Sequence, residues 1–149
     1  MDQKFGRNLC LALSVAIAAQ LVPAPAWSLA ERGQSAGMSP VDWSRASTVK
    51  VALADYAFTP QQIRLEVNAP VHLVLVNTGA FAHDFSAEHF FQTTALHMST
   101  RPLQHGVVEL RPGETVALDL VPGQRGQFPL ECSLEFHAAM GMTGTIEVR

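Results

Sequence analysis

Cysteine, basic charge and long apolar runs are all scarce in this chain of 149 residues. There are two cysteines, Cys10 and Cys132, and the first lies in an apolar N-terminal segment. If that segment is removed, the remaining chain has a single thiol and cannot form an internal disulfide. Ten Lys and Arg residues are spread without a cluster, which argues against a nucleic-acid partner. Only 15% of the residues are charged.

The N-terminal thirty residues have the organisation of a cleaved export signal. Lys4 and Arg7 precede a mostly apolar run of 14 residues, 9–22, and small residues end the segment at Ala30. The run is too short to span a bilayer comfortably, so residues 1–30 are predicted to be a signal peptide rather than a membrane anchor. Cleavage after Ala26 is the alternative. The mature protein is therefore expected in the periplasm or otherwise outside the cytoplasm, without stable membrane insertion.

The predicted mature chain, residues 31–149, is long enough for one domain with one core. Its eight Lys and Arg against twelve Asp and Glu give a net charge of −4, with histidine neutral. Residues 31–46 are rich in Gly, Ser, Ala and Pro and predict a flexible lead-in. Residues 47–149 are predicted to form the folded domain, which we expect to be monomeric.

Short β-branched runs separated by Gly, Pro and Asn predict seven strands, which alternate with turns. Strands at this spacing are typical of a Greek-key β-sandwich, so the fold class is all-β. Residues 86–105 lack strand character, and a short helix over 87–92, capped by Ser86, is expected in this long connection. The predicted strands are 48–58, 62–67, 71–77, 107–110, 115–121, 127–132 and 143–148.

Cys132 opens a segment in which three kinds of soft or borderline ligand occur together. His137 follows five positions later, and Met140 and Met142 come after it. Thiolate, imidazole and thioether form a set of ligands that suits copper, and a lone thiol in an oxidising compartment needs such a role. With a single cysteine, a two-cysteine binuclear copper centre is excluded.

Residues 48–149 resemble the cupredoxins, the small blue-copper proteins of the plastocyanin and azurin type. The resemblance rests on the combination of several short motifs, since no single one is specific. They are Asn77-Thr78-Gly79, His83-Asp84-Phe85, Arg111-Pro112-Gly113-Glu114-Thr115, Gly126-Gln127-Phe128, Cys132, His137 and Met142-Thr143-Gly144-Thr145.

The resemblance implies a cupredoxin-like sandwich that binds one copper ion. His83, Cys132 and His137 would bind it in a roughly trigonal plane, with Met142 as a weak axial ligand and Met140 as the less favoured alternative. Members of the family also join their two ligand loops by a hydrogen bond between the residues that follow the first histidine and the cysteine. Asp84 and Ser133 hold those positions here, which predicts the same connection.

The function implied is that of a one-electron carrier rather than an enzyme. The copper would cycle between Cu(I) and Cu(II), and the electron would leave through His137 to transient redox partner proteins. The alternative is a copper-binding protein for delivery, storage or resistance. A catalytic copper enzyme, such as a multicopper oxidase, is less favoured, because the chain contains no His-x-His motif.

Two further questions stay open from the residues alone. The connection over 86–105 carries soft ligands that would allow a second metal site, namely His89, His97, Met98 and His105. Glu135 lies between Cys132 and His137, where a carboxylate close to the metal would stabilise the oxidised ion or compete as an oxygen ligand.

Overall fold

A computed structural model describes residues 40–149. The predicted signal peptide and most of the predicted lead-in lie outside the described residues. A short 3-10 helix, Trp43–Arg45, precedes ten strands and one helix, α1 (Glu88–Gln92). The strands are β1 (Ser47–Ala54), β2 (Ala57–Thr59), β3 (Gln62–Leu65), β4 (Val71–Asn77), β5 (His83–Ser86), β6 (Thr94–Ser99), β7 (Val107–Leu110), β8 (Thr115–Pro122), β9 (Gly126–Glu131) and β10 (Thr143–Val148).

The strands form two five-stranded sheets. The first has the order β2-β1-β4-β8-β6, and the second has the order β3-β10-β9-β5-β7. Each sheet contains one parallel pair, β1 with β4 and β10 with β3, and the other neighbours are antiparallel. The long connection predicted over 86–105 therefore joins the two sheets, since it leaves β5 of the second and includes β6 of the first.

Alternating burial along the central strands makes the core. On β4 and β8, every second side chain is buried, and the residues between them are partly exposed. This period of two is the pattern of a strand with one face against a core. The buried residues of β4 and β8 belong to one hydrophobic cluster with those of β9 and β10 from the other sheet. The predicted sandwich core is therefore present.

The predicted strand over 48–58 is two strands. Asp55 and Tyr56 form a tight turn in which Tyr56 has a φ of 65°, and β1 then pairs with β2 antiparallel through Ala54 and Ala57. A left-handed backbone angle is uncommon for a residue other than Gly, Asn or Asp. Because Tyr56 is not a typical turn residue, the sequence did not predict a turn within this run. The turn places Asp55 at one end of the sandwich.

Two strands between β4 and β7, namely β5 and β6, were not predicted from the sequence. β5 has three consecutive buried residues, so it lacks the alternation that predicts a strand. β6 is an edge strand with mostly exposed side chains and a register shift between Leu96 and Met98, and the expectation that 86–105 contains no strand is wrong.

The short helix expected over 87–92 is present as α1, but its predicted cap is wrong. Ser86 ends β5, where it is paired with Val107 and Glu131. The N-cap position is taken by Ala87, without a capping hydrogen bond from its side chain. No helix among residues 40–149 is long and apolar enough to cross a membrane.

Candidate metal centre

His83, Cys132 and His137 come together at one end of the second sheet. One ligand atom from each residue lies within 4.8 Å of the other two. The Nδ1 atoms of the two histidines are 3.2 Å apart, and Cys132 Sγ lies 3.4 Å from His137 Nδ1. His83 is fully buried and Cys132 is almost so, whereas His137 is only partly buried. The structure thus gathers three of the four predicted ligands with one ring at the protein surface.

The loop before His83 is organised by Asn77, whose side chain is buried. Its Nδ2 donates to the carbonyl oxygens of Phe81 and Leu110, at 2.8 and 3.0 Å. Its Oδ1 accepts from the backbone N–H of Gly79 at 2.9 Å. One amide side chain therefore holds the segment between β4 and β5 in place, which accounts for the Asn77-Thr78-Gly79 motif in structural terms.

The segment from Cys132 to Met142 is closed by its own backbone hydrogen bonds. The N–H of Cys132 donates to the carbonyl of Met142 at 3.1 Å, and the N–H of Met142 donates to the carbonyl of His137 at 3.0 Å. Inside the segment, the N–H of His137 donates to the carbonyl of Leu134 at 3.0 Å. These bonds bring His137 back beside Cys132, although five positions separate the two residues.

Burial separates the two methionines that compete as the fourth ligand. Met142 is fully buried and belongs to the same core cluster as Cys132. Met140 is 58% exposed. A side chain that is open to water is poorly placed to approach a buried thiol, so this difference favours Met142, and its role as a ligand stays a prediction.

The predicted connection between Asp84 and Ser133 is confirmed. Asp84 is buried, and its carboxylate accepts hydrogen bonds from the Ser133 backbone N–H at 2.8 Å and from the Ser133 hydroxyl at 2.6 Å. The backbone N–H of Asp84 in turn lies 3.4 Å from Cys132 Sγ. A buried carboxylate is costly unless its oxygens are satisfied, and here both oxygens have a donor.

The pKa of the Cys132 thiol is raised, because burial disfavours its charged form. The backbone N–H groups of Asp84 and Leu134 act in the opposite direction. Without a positive partner, the thiol therefore tends to keep its proton. A coordinating metal reverses that tendency, since a metal-bound thiol is deprotonated outright.

The donor set matches copper chemistry. One thiol and two imidazole nitrogens that all lie within 4.8 Å of one another provide a soft ligand and two borderline ligands around a common point. A thiolate stabilises Cu(I), and imidazole suits both oxidation states. The residues present therefore fit the ion that the sequence predicts.

Asp55 is a neighbour of this site that was not among the residues predicted from the sequence. Its Oδ1 lies 3.1 Å from His83 Nε2, on the side of the ring opposite to the nitrogen that faces His137. The hydrogen bond with His83 lowers the pKa of Asp55, and the backbone N–H groups of Ala80 and Phe81 contribute in the same direction. No sequence signal marked Asp55, because the predicted strand ran through the turn that presents it.

The three histidines of the 86–105 connection do not join a second cluster. Among residues 40–149, the only close group of three His, Cys, Asp or Glu residues is the one already described, so His89, His97 and His105 take part in no second one. His97 instead packs edge-on against Trp43, with ring centroids 5.1 Å apart. Glu135 is exposed and is not part of the cluster.

His72 pairs with a carboxylate on the first sheet. Its Nδ1 lies 2.6 Å from Asp119 Oδ1, on the neighbouring strand β8. The Trp43 ring lies 5.6 Å from the His72 ring. This second histidine–carboxylate pair has no cysteine or further ligand in a cluster with it within the described part of the chain.

Comparisons with known proteins give one family and many similar folds. The family model described as multicopper oxidase matches residues 27–149. No curated protein matches the chain by sequence. One similar structure is auracyanin from the photosynthetic bacterium Roseiflexus castenholzii, solved after reduction with Na-dithionite. The similarity covers 70% of this chain and 98% of the auracyanin chain, with a TM-score of 0.54 and 15% sequence identity.

Two other solved structures are similar over very different shares of their own length. Auracyanin B is 20% identical, with a TM-score of 0.53, over 73% of this chain and 93% of its own. The multicopper oxidase McoA from Aquifex aeolicus is 15% identical, with a TM-score of 0.57, over 74% of this chain but 31% of its own. The chain thus corresponds to nearly all of an auracyanin and to about a third of that oxidase.

Proposed function

Since this chain belongs to the multicopper oxidase family and has the predicted Greek-key sandwich of the cupredoxins, we propose that it is an exported copper protein that carries one electron. The copper ligands in this proposal are His83, Cys132 and His137, with Met142 as a weak fourth. The observation that carries the proposal is the cluster of one thiol and two imidazoles within 4.8 Å.

Copper bound there would supply a one-electron Cu(II)/Cu(I) couple. The residues of the chain provide the rest of what a carrier needs. The hydrogen bonds between Asp84 and Ser133 fix the two ligand loops relative to each other, so the loops need little rearrangement when the charge of the site changes. The auracyanin of similar fold was solved in a reduced form, which supports a redox role for this fold.

The surface around His137 suits brief encounters with a redox partner. His137 is partly exposed, and the ligand loops also carry three exposed apolar side chains: Phe81, Phe136 and Met140 are 57%, 83% and 58% exposed. A small apolar surface of this kind favours short-lived complexes, which bury less than about 1,200 Å². We propose that transient redox proteins bind here and that the protein acts as a monomer.

The proposal of an exported protein rests on the sequence of residues 1–30 and on the lone thiol that follows. Removal of residues 1–30 would leave the lead-in and the domain over 47–149. In an oxidising compartment a lone Cys132 has no partner for a disulfide within the mature chain, and ligation of copper gives the thiol a role.

An enzymatic role is the second candidate, because the matching family is described as multicopper oxidase. The chain corresponds to about a third of one such oxidase, so the activity of a whole oxidase would need ligands beyond those of this site. Residues 40–149 contain one cluster of three potential metal ligands from His, Cys, Asp and Glu side chains. Measurement of oxygen consumption by the copper-loaded protein in the presence of a reductant separates an oxidase from a carrier.

The direct test of the proposal is a titration of the mature protein with Cu(II), followed by its visible spectrum. We expect an intense thiolate-to-copper charge-transfer band that bleaches reversibly on reduction. The Cys132→Ser variant should lose the band, and His89→Gln, which changes a histidine on α1, should keep it. A band that persists in the serine variant would refute the ligand assignment, and binding of Cu(I) alone would favour copper delivery or storage.

A further inference from the structure

The two ring nitrogens of His83 have different partners. The Nδ1 atom lies 3.2 Å from His137 Nδ1, at the candidate copper site. The Nε2 atom lies 3.1 Å from Asp55 Oδ1. The His83 side chain is completely buried, so its Nε2 atom depends on Asp55 rather than on water for a hydrogen bond.

Asp55 is held in place by the segment that precedes His83. Its carboxylate accepts a hydrogen bond from the backbone N–H of Ala80, with distances of 3.0 and 3.3 Å to the two oxygens. Nearby, the N–H of Thr78 donates to the carbonyl of Leu53 at 2.8 Å, which fastens the β1–β2 turn to the same segment. Asp55 therefore approaches His83 from a separate, anchored element.

Gly79 leaves the space that this approach requires. A Cβ atom at position 79 would lie 2.3 Å from Asp55 Oδ1, 2.8 Å from His83 Nε2 and 3.1 Å from the backbone nitrogen of Asp55. Cβ contacts under 3.0 Å are essentially never observed, so a side chain at this position would require the Asp55 carboxylate or the His83 ring to shift. The absence of a side chain at Gly79 and the contact between Asp55 and His83 thus belong to one arrangement.

We propose that Asp55 is a positioning residue that fixes the tautomer of His83 and biases the site toward its oxidised form; this inference rests on the proposed copper site. An ionised carboxylate can only accept, so Nε2 must carry the proton and the lone pair of Nδ1 is directed at the cluster. A carboxylate on the far nitrogen of a ligating histidine also makes the ring a stronger donor. Its negative charge favours Cu(II) over Cu(I), although its partial exposure to solvent weakens the effect.

The test compares two variants that make the same chemical change at two histidine–carboxylate pairs. Asp55→Asn removes the charge beside His83 and keeps the shape of the side chain. Asp119→Asn does the same beside His72 on the first sheet. The copper-loaded Asp55→Asn protein should shift its relative affinity toward Cu(I) by about tenfold, which corresponds to a rise in potential of about 59 mV. Asp119→Asn should leave the potential unchanged. Asp55→Glu keeps the negative charge, so its potential should lie between those of Asp55→Asn and the original protein.

A second readout uses the metal-free protein and needs no copper chemistry. The 15N chemical shifts of the His83 ring should report a single tautomer, protonated at Nε2, in the original protein. Asp55→Ala should give a mixture of both tautomers. Gly79→Ala should give the same mixture because it separates the two side chains, and its circular dichroism spectrum will show whether the sandwich has remained folded.

The outcomes distinguish this inference from the proposed function. If the original protein shows no thiolate-to-copper band, the copper carrier is refuted and the role of Asp55 with it. If the band is present but Asp55→Asn has the original potential and Asp55→Ala the original tautomer, the positioning role alone is refuted. An equal shift of potential in Asp119→Asn would also refute it, because the effect would then reflect the overall charge of the protein.

Discussion

The buried carboxylate of Asp84 accepts two hydrogen bonds from Ser133, one from the backbone N–H and one from the hydroxyl, at 2.8 and 2.6 Å. Asp84 directly follows His83, and Ser133 directly follows Cys132. The pair therefore sets the separation of the two ligand loops even when no metal is bound.

Ser133→Ala should destabilise the metal-free protein by about 1–3 kcal/mol, because one oxygen of a buried carboxylate loses its donor. The free energy of unfolding in urea measures this loss. Ser47→Ala, at the exposed start of β1, is the control and should change the value by no more than about 0.5 kcal/mol. Equal values for the two variants would mean that the connection contributes nothing to stability.

The two methionines of the ligand segment offer a matched pair of substitutions. Met142→Leu conserves volume in the core and should keep copper bound while raising the reduction potential, since the weak axial ligand tunes the potential of such sites. A tenfold change in the relative affinity for the two oxidation states corresponds to about 59 mV, and we expect a rise of at least that size. Met140→Leu changes an exposed side chain and should leave the potential unchanged. The reverse result would make Met140 the fourth ligand.

Two phenylalanines beside the ligands differ in burial. Phe85 is fully buried and packs edge-on against Phe58, with ring centroids 6.1 Å apart, whereas Phe136 is 83% exposed. Phe85→Ala should cost about 3–5 kcal/mol of unfolding free energy, because it leaves a cavity in the core. Phe136→Ala should cost no more than about 0.5 kcal/mol. A comparable loss in both variants would contradict the packing described for β5.

The stability of the metal-free protein should depend on pH through Glu114. The pKa of Glu114 is lowered, mainly by the hydrogen bond from the backbone N–H of Arg111 and then by Arg101. A lowered pKa in the folded state means that the carboxylate stabilises the fold above the ordinary glutamate pKa and that this contribution is lost as the pH falls through the lower folded value. The difference in unfolding free energy between the original protein and Glu114→Gln should therefore shrink from about pH 6 to about pH 3. A difference that is constant over this range would contradict the assignment.

The sequence predicts the sandwich well where its strands have one buried face. β4, β7 and β10 begin and end where the alternation of apolar residues places them. β5 was not predicted because both of its faces are buried, and β6 was not predicted because its side chains are mostly exposed. In both strands burial does not alternate, so the period that identifies a strand is absent.

The candidate metal site was predictable in part, for a similar reason. Three of its predicted members lie within one short segment, where spacing is visible in the sequence, and the Asp84–Ser133 connection follows from their neighbours. Asp55 was not predictable, because its contact with His83 depends on a turn at Tyr56 with a left-handed backbone angle and on the space above Gly79. Both are properties of the folded chain rather than of any local pattern.

The distribution of the predicted ligands along the chain sets the order in which a copper site can assemble. Cys132, His137 and Met142 lie within a segment of eleven residues, so even an unfolded chain offers them as a loose chelate. His83 lies far upstream on β5 and joins them only when β5 and β9 enter the same sheet. An ion captured before folding would therefore be held by a partial site, and its tight retention would begin with the closure of the sandwich.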